Sequence, residues 1–365
     1  MECLYDPVSQ EDFEDIASRD LPWEDLKGAG VLISGATGLI GSRLVFTLAC
    51  ANRIRNTGIS IYALVRNRSK AELMFRDIIG RKELCILESD IKQRIEATVN
   101  VDFVVHGANP TSSLEFITRP ADVIGSIFEG TKNLLEFSLA NDIKSFVYLS
   151  SMEVYGTTDG KDRHKEDELG YIDIHNTRSS YSEGKRMAEC LCACYANQYG
   201  LPVKIARLAQ TFGAGVAYDD RRVFAQFARS VIEQRNIVLK SKGGTVRSYS
   251  YISDAVAAIL FIMLRGTSKE VYNVANRNCI LSIREMAELV ADVIGGGSIK
   301  VVEQLVDTTA LGYLPEIRLV LDSGKLEKLG WSAKYDMPTM YDRLIKSMKH
   351  SLQSPLGSFT THPAV

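Results

Sequence analysis

Val31-Leu32-Ile33-Ser34-Gly35-Ala36-Thr37-Gly38-Leu39-Ile40-Gly41 is the stretch on which the reading of this chain turns. A short apolar run of strand type ends in glycines three residues apart, and Leu44-Val45-Phe46 with Leu48-Ala49 then continues as a helix. Glycines at these positions let the backbone bend sharply and come close to an anion. The helix that follows presents its free N–H groups and positive dipole end at the same point. In a strand-turn-helix setting the triplet reads as a pyrophosphate cradle for a dinucleotide rather than as an ordinary tight turn.

Working outward, strand-like runs recur at Ile59 to Val65, Leu84 to Leu87, Val101 to His106, Ser145 to Ser150 and Val203 to Leu208, with helical segments between several of them. Alternating strands and helices predict a Rossmann-type, doubly wound parallel sheet of the α/β class. From about Gln210 the alternation loosens, and a smaller C-terminal substrate-binding α/β domain is expected. The expected layout is an extension at 1–29 and a dinucleotide-binding domain at 30–208, to which 249–275 returns. Substrate-binding segments at 209–248 and 276–350 and a tail at 351–365 complete it.

The end of the second strand bears on the cofactor. A carboxylate there holds the ribose 2′-hydroxyl of NAD, whereas a cation accommodates the 2′-phosphate of NADP. The chain reads Leu64-Val65-Arg66-Asn67-Arg68, without a carboxylate. Arg66 or Arg68 suits the phosphate, so the pattern favours NADP within an NAD(P) assignment; as solvated loop charges the two arginines would decide nothing. Asp90, after the third strand, is a candidate for the adenine amino group, and Ile91 beside it joins the candidate cofactor contacts.

Tyr181 and Lys185 lie four residues apart, which places a phenol and an ammonium on one face of a helix. A neighbouring cation favours the phenolate and so makes a better base of a tyrosine. Ser150-Ser151-Met152-Glu153 emerges at the carboxyl end of a strand, where open α/β sheets bind their ligands. A hydroxyl at Ser151 can hold a substrate oxygen while the tyrosine moves its proton.

Taken together and in order, these residues resemble the extended short-chain dehydrogenases/reductases, the NAD-dependent epimerase/dehydratase group that acts on nucleotide-activated sugars. The resemblance runs from about residue 30 to 332 and includes His106-Gly107-Ala108, Gly130-Thr131-Lys132-Asn133, Arg247-Ser248-Tyr249, Tyr272-Asn273-Val274 and Leu329-Gly330-Trp331. It implies that Tyr181 takes a sugar hydroxyl proton, that Lys185 holds the nicotinamide ribose, and that Ser151 orients the reacting oxygen. Gly35, Thr37, Gly38, Leu39, Ile40, Gly41 and Ala108 would line the cofactor. Glu153 matches a glutamate of the family's decarboxylases and dehydratases. Met152, however, stands where sugar 4,6-dehydratases carry an aspartic acid, and a thioether cannot protonate a departing hydroxyl. Arg222 and Arg247 match arginines that meet the nucleotide diphosphate, and Gln210 replaces the usual asparagine. A homodimer through the helix of the Tyr/Lys pair is a further expectation from the resemblance.

Composition narrows the partners. The 365 residues carry 43 Lys plus Arg against 45 Asp plus Glu, so no basic excess points to nucleic acid or to an anionic membrane. The longest apolar stretch, Ala255 to Leu264, falls well short of the ~20 residues needed to span a bilayer. The first residues lack the basic start and apolar core of an export signal, and seven irregularly spaced cysteines fit free thiols, so a cytoplasmic location is expected. Cys190, Cys192 and Cys194 have no partner pair at zinc-site spacing, and no metal is expected.

Three functions compete. A redox-neutral nucleotide-sugar epimerase or decarboxylase would act on a UDP- or CDP-linked sugar through a transient keto sugar. An NADPH-dependent net reductase of a nucleotide-linked keto sugar or ketose is the alternative. A non-catalytic nucleotide sensor is the third.

Overall fold

The computed structural model describes residues 1–306 and 316–353. Residues 307–315 and 354–365, and with the latter most of the expected tail, lie outside the described residues. The strands are β1 Gly30–Ser34, β2 Ser60–Val65, β3 Leu84–Glu88, β4 Phe103–His106, β5 Ser145–Ser151, β6 Val203–Leu208, β7 Gln210–Phe212, β8 Ile237–Leu239, β9 Val246–Tyr251, β10 Val271–Val274, β11 Ile280–Ser282, β12 Val301–Glu303 and β13 Arg318–Leu319. The helices are α1 Pro7–Ser18, α2 Leu39–Arg55, α3 Arg68–Met74, α4 Glu115–Thr118, α5 Pro120–Ala140, α6 Ser180–Tyr199, α7 Val223–Ile232, α8 Ile252–Arg265, α9 Ile283–Leu289, α10 Gly324–Glu327 and α11 Met337–Gln353.

Seven parallel strands form the main sheet in the order β10-β6-β5-β4-β1-β2-β3. The sheet is doubly wound, as the alternation predicts. Its strands are near-continuous apolar runs because both faces are covered. Val31, Ile33, Val105 and Val147 go to one core, while Leu32, Val104, Phe146 and Tyr148 go to the other. The Ala255–Leu264 run lies in α8, apolar on every side because it is sandwiched between the sheet and its neighbours. Among the described residues no helix is long and apolar enough to cross a membrane.

A smaller sheet joins β11, β9 and β13, with β7 pairing to β9 in parallel. It lies C-terminal in sequence to the main sheet's first six strands, and β10 returns from it to pair with β6. Residues 1–29 fold as α1 and a short 3-10 turn. Phe13 of α1 stacks on Phe46 of α2 at 5.3 Å, and the fully buried Glu2 carboxylate is gripped by Arg53 and Arg81 at 3.0 Å each. The N-terminal segment is thus fastened to the helix that follows the glycine turn.

Candidate active site

The strand order reverses between β1 and β4, and a crevice at that switch point is where such sheets take a ligand. Ser34 holds the two strand ends together, with its hydroxyl 2.7 Å from His106 Nδ1 and accepting from the N–H groups of Gly107 and Ala108. His106 also meets Thr131 at 3.2 Å. Burial, helped by the charge of Lys185, pushes its pKa down to about 3, so it is a neutral structural residue near pH 7.

The glycine turn is built for close approach. Gly35 has φ +70°, and a Cβ there would lie 2.8 Å from the Ala108 nitrogen. At Gly41 it would lie 2.2 Å from the Gly35 carbonyl oxygen. Gly38, the exposed N-cap of α2, meets only the Gly35 oxygen, at 3.2 Å, so the space over the helix N-terminus is open. Thr37, Leu39 and Ile40 border it, each partly exposed. Both amide atoms of Asn109, just past the end of β4, are buried without a partner among the described residues. An open cradle of N–H groups and an unspent amide fit a dinucleotide.

Beyond the ends of β2 and β3 lies a cleft of about 650 Å³ bordered by Leu64, Leu87, Ser89, Arg68, Arg94 and Ile95. Of the two candidate arginines, Arg68 borders this cleft and Arg66 is outside its lining. Arg68 donates to the Ile86 carbonyl and pairs with Glu88 and Glu72, whereas Arg66 is exposed and enters no ion pair among the described residues. Arg66 lies close enough to Lys70 that its charge, after burial, helps to lower the Lys70 pKa. Asp90 accepts from the Lys92 N–H, and Ile91 is held by Asn133, which donates to its carbonyl at 2.9 Å.

At the carboxyl end of β5, Ser151 caps a 3-10 turn by accepting from the Glu153 N–H at 3.2 Å. Tyr181 and Lys185, on the first turns of α6, are both buried beside it. The Lys185 ammonium donates to the Leu149 carbonyl at 2.6 Å and lies 5.8 Å from the centre of the Tyr181 ring. Burial brings its pKa down to about 7. The phenol of Tyr181 is shifted up, by burial first and then by the Glu153 carboxylate, against hydrogen bonding to Ser151 and the pull of Arg178. The lowering expected from Lys185 is therefore not what this geometry gives. The ammonium is itself desolvated and spends a hydrogen bond on a backbone carbonyl.

Phe116 of α4 stacks on Tyr181 with ring centroids 4.4 Å apart, and the Arg178 guanidinium covers the Phe116 ring at 4.8 Å. Arg178 reaches Glu153 at 3.2 and 3.4 Å, and Ser182 donates to the same carboxylate at 3.3 Å. Phe116, Arg178, Ser182 and Asn109 are the members that the motifs did not single out. Arg178 lies in the long polar segment 156–180 between the end of β5 and α6, and the length of that connection is the signal the sequence offers.

A second network fixes the strand end. Ser150 donates to Glu189 at 2.5 Å, and Glu189 pairs with Arg207 at 2.7 Å with both groups buried. Asn273 accepts from Tyr155 at 2.7 Å and donates to the carbonyls of His164 and Asp322, stitching segment 156–180 to the sheet. Met152 is buried in a small apolar cluster with Val154 and Leu321.

Gln210 pairs with Tyr249 in register, so Gln210, Tyr249 and Arg247 share one face of the small sheet. The Nε of Arg247 is buried without a partner among the described residues. Arg222, at the N-cap of α7, is half exposed and binds Asp220 through Nε and Nη2. Cys190 and Cys194 are exposed and Cys192 buried, as helical spacing requires. Among the described residues one trio, Glu2, Glu14 and Cys50, has metal-ligand proximity, but both oxygens of Glu2 already accept from arginine.

Comparison with known proteins gives a consistent picture. UDP-glucuronic acid decarboxylase 3 of Arabidopsis thaliana is 29% identical over 306 residues, spanning 83% of this chain and 84% of the relative. UDP-glucuronic acid decarboxylase 1 of Xenopus tropicalis is 28% identical over 268 residues, spanning 73% of this chain and 61% of the relative. Among solved structures, UDP-glucose 4-epimerase from Thermotoga maritima superposes with a TM-score of 0.75 at 21% identity, covering 89% of this chain and 100% of its own. UDP-glucuronic acid 4-epimerase from Bacillus cereus, in complex with UDP-glucuronic acid and NAD, gives 0.72 at 19%, covering 88% and 99%. These neighbours show the fold. Residues 31–275 match the family model of the NAD dependent epimerase/dehydratase family, from the first strand through the return of β10. With two thirds of its length matched, from the glycine turn through the Tyr/Lys helix to β10, the chain belongs to that family of nicotinamide-dependent enzymes.

Proposed function

We propose that the protein is a redox-neutral nucleotide-sugar enzyme that decarboxylates or epimerises a UDP-linked uronic sugar through a transient ketone. The observation that carries this reading is the meeting of Ser151, Glu153, Tyr181 and Lys185 at the carboxyl end of β5, beside the open glycine cradle. The curated relatives named as UDP-glucuronic acid decarboxylases support the sugar class.

A nicotinamide bound at the cradle supplies a hydride acceptor and, at the end of the cycle, a hydride donor. Tyr181 takes the proton of the sugar hydroxyl and later returns it, while Ser151 holds the same oxygen through both steps. In a uronate the new ketone draws the electron pair of the breaking bond as carbon dioxide departs, and a proton then replaces the lost group. Glu153 faces the phenol and raises its pKa, which opposes the first proton transfer and favours keeping the proton on Tyr181 between the two steps. Dehydration is disfavoured, since Met152 has no proton to donate and is buried in an apolar cluster. Arg222, Arg247 and Gln210 are assigned to the nucleotide diphosphate and sugar. Two copies pairing through α5 and α6, which carry the exposed Phe128, Leu139 and Tyr199, complete the reading.

One observation favours a second reading, a net reductase using NADPH. Arg66 and Lys70 place two cations past the end of β2, where Glu88 and Glu72 are paired with Arg68, and such cations suit a 2′-phosphate. The deciding experiment is to denature the purified protein and identify the released cofactor by mass spectrometry, then to assay UDP-glucuronate with wild type and Tyr181→Phe. Stoichiometric NAD and conversion abolished by Tyr181→Phe support the redox-neutral enzyme. An empty site preferring NADPH supports the reductase, and a Tyr181→Phe variant at wild-type rate overturns both.

A further inference from the structure

We propose that the N-terminal helix α1 positions the nucleotide-sugar site: Asp6 and Asp12, acting through the hydroxyls of Ser347 and Tyr251, hold the turn Gly213-Ala214-Gly215 that leads to Arg222. This inference rests on the reading above in which Arg222 and Arg247 meet the nucleotide diphosphate. It concerns a helix that lies upstream of the matched family segment, 31–275.

Asp6, Ser9 and Asp12 recur every three residues from the N-cap of α1 and are buried, none more than 3% exposed. Buried carboxylates are costly unless donors match them, and a helix kept only as cover would bury apolar side chains throughout, as α1 does at Phe13 and Ile16. All three polar residues find partners, and each partner leads to the same turn. Asp6 accepts from Ser347 of α11 at 2.6 Å, and the Ser347 oxygen accepts from the Gly215 N–H at 2.8 Å. Asp12 accepts from the Tyr251 hydroxyl at 2.8 Å, and that oxygen accepts from Arg343 Nε at 3.1 Å and from the Ala214 N–H at 3.4 Å. Ser9 accepts from Arg43 Nη1 at 2.8 Å. The same guanidinium packs so closely on Gly215 that a Cβ there would lie 2.2 Å from Nη1.

The place of this turn in the chain gives the relays their meaning. It lies between Gln210 on β7 and Arg222 at the N-cap of α7. Tyr251 ends β9 on the face that also carries Arg247, four residues earlier. Arg43 belongs to α2, the helix that opens at the glycine cradle. One side of α1 therefore reaches the loop of one diphosphate arginine, the strand of the other and the cofactor helix. Two successive amides of the turn are held by hydroxyls that are themselves held by buried carboxylates, which leaves the following loop few orientations. Without the relays a ligand would have to order that loop itself, at the expense of affinity.

The test is calorimetric titration of the full chain with UDP, and with whichever of NAD and NADP wild type binds more tightly, beside hydrogen exchange of segment 213–222. Tyr251→Phe and Ser347→Ala each remove one hydroxyl and leave the Asp12 and Arg343 pair intact. Each should weaken UDP by about threefold and the double variant by about tenfold, the scale of one hydrogen bond apiece, with cofactor affinity held within about twofold. Amides of 213–222 should exchange faster in both variants. Glu2→Gln, which frees the segment before α1 from Arg53 and Arg81, should cost stability yet leave UDP affinity within about twofold. Unchanged exchange in the double variant, or a loss shared equally by UDP and cofactor, overturns the proposal. If the double variant does not fold, the single variants decide by the same criteria. Arg222→Ala separates the two possible failures. UDP weakened by Arg222→Ala but not by the hydroxyl variants overturns the positioning role and leaves the nucleotide-sugar reading standing. UDP weakened by none of them overturns the assignment of Arg222, and the proposal with it.

Discussion

Phe116 lies flat on Tyr181, ring planes 13° apart, and so covers the phenol to which the proposed function assigns the role of base. The contact joins α4, a single helical turn after β4, to the first turn of α6. It is one reason that the phenol is buried and its pKa stands above the ordinary tyrosine range. Phe116→Ala should admit water, lower that pKa and move the acidic limb of the kcat/KM profile to lower pH by about one unit. Arg178 would also lose the ring beneath it, worth about 0.5–1 kcal/mol. A pH profile that superposes on wild type would show that Phe116 does not control the phenol.

Among the described residues Arg66 enters no ion pair, whereas Arg68 is committed to Glu88, Glu72 and the Ile86 carbonyl. Substituting Arg66→Asp should therefore shift the NADP to NAD affinity ratio by about tenfold or more toward NAD, the scale of one strong phosphate contact. The same change at Arg68 should leave the ratio alone and cost stability instead. Fluorescence titration of both cofactors on the emptied enzyme separates the two, and unchanged ratios for Arg66→Asp would remove the 2′-phosphate assignment.

Glu2 is buried, which alone would raise its pKa, but hydrogen bonds from Arg53, Gln10 and Arg81 outweigh burial and hold it at about 2. A carboxylate whose folded pKa is depressed stabilises the fold above its unfolded value, 4.5, and that contribution is lost as pH falls toward 2. The contribution is at most about 3 kcal/mol, less what solvent screens at the half-exposed Arg53. Glu2→Gln should lower Tm at pH 7 and flatten the fall in Tm between pH 4.5 and 2. Equal acid sensitivity in the variant and wild type would show that the N-terminal clamp does not carry that pH dependence.

Local patterns in the chain were enough for the sheet and for the chemistry-bearing motifs. The run Val203 to Leu208 is β6 residue for residue, and Ala255–Leu264 lies within the buried helix α8. Both are legible because apolar runs bounded by turn residues reflect burial directly. Glycine spacing at 35, 38 and 41 is similarly local: one residue needs positive φ and another cannot carry a Cβ. The separation of Tyr181 and Lys185 is a helical turn, and their burial on one face follows from it.

What the linear order could not contain is the set of contacts made between distant segments. Phe116 and Tyr181 are 65 residues apart, and Arg178 and Glu153 are 25 apart; neither pair has a spacing that any periodicity marks. The choice between Arg66 and Arg68 also needed the third strand, because only the folded sheet brings Glu88 and the Ile86 carbonyl to one of them. Burial likewise reversed a reading made from proximity, for the ammonium expected to lower the Tyr181 pKa is itself desolvated and hydrogen-bonded elsewhere. Sequence by itself determined the sheet, the cradle and the Tyr/Lys helix, since each depends on residues within a few positions of one another. Tertiary structure alone decided the partners and protonation of the site's charged groups, since those depend on which remote side chains exclude water and which share a charge.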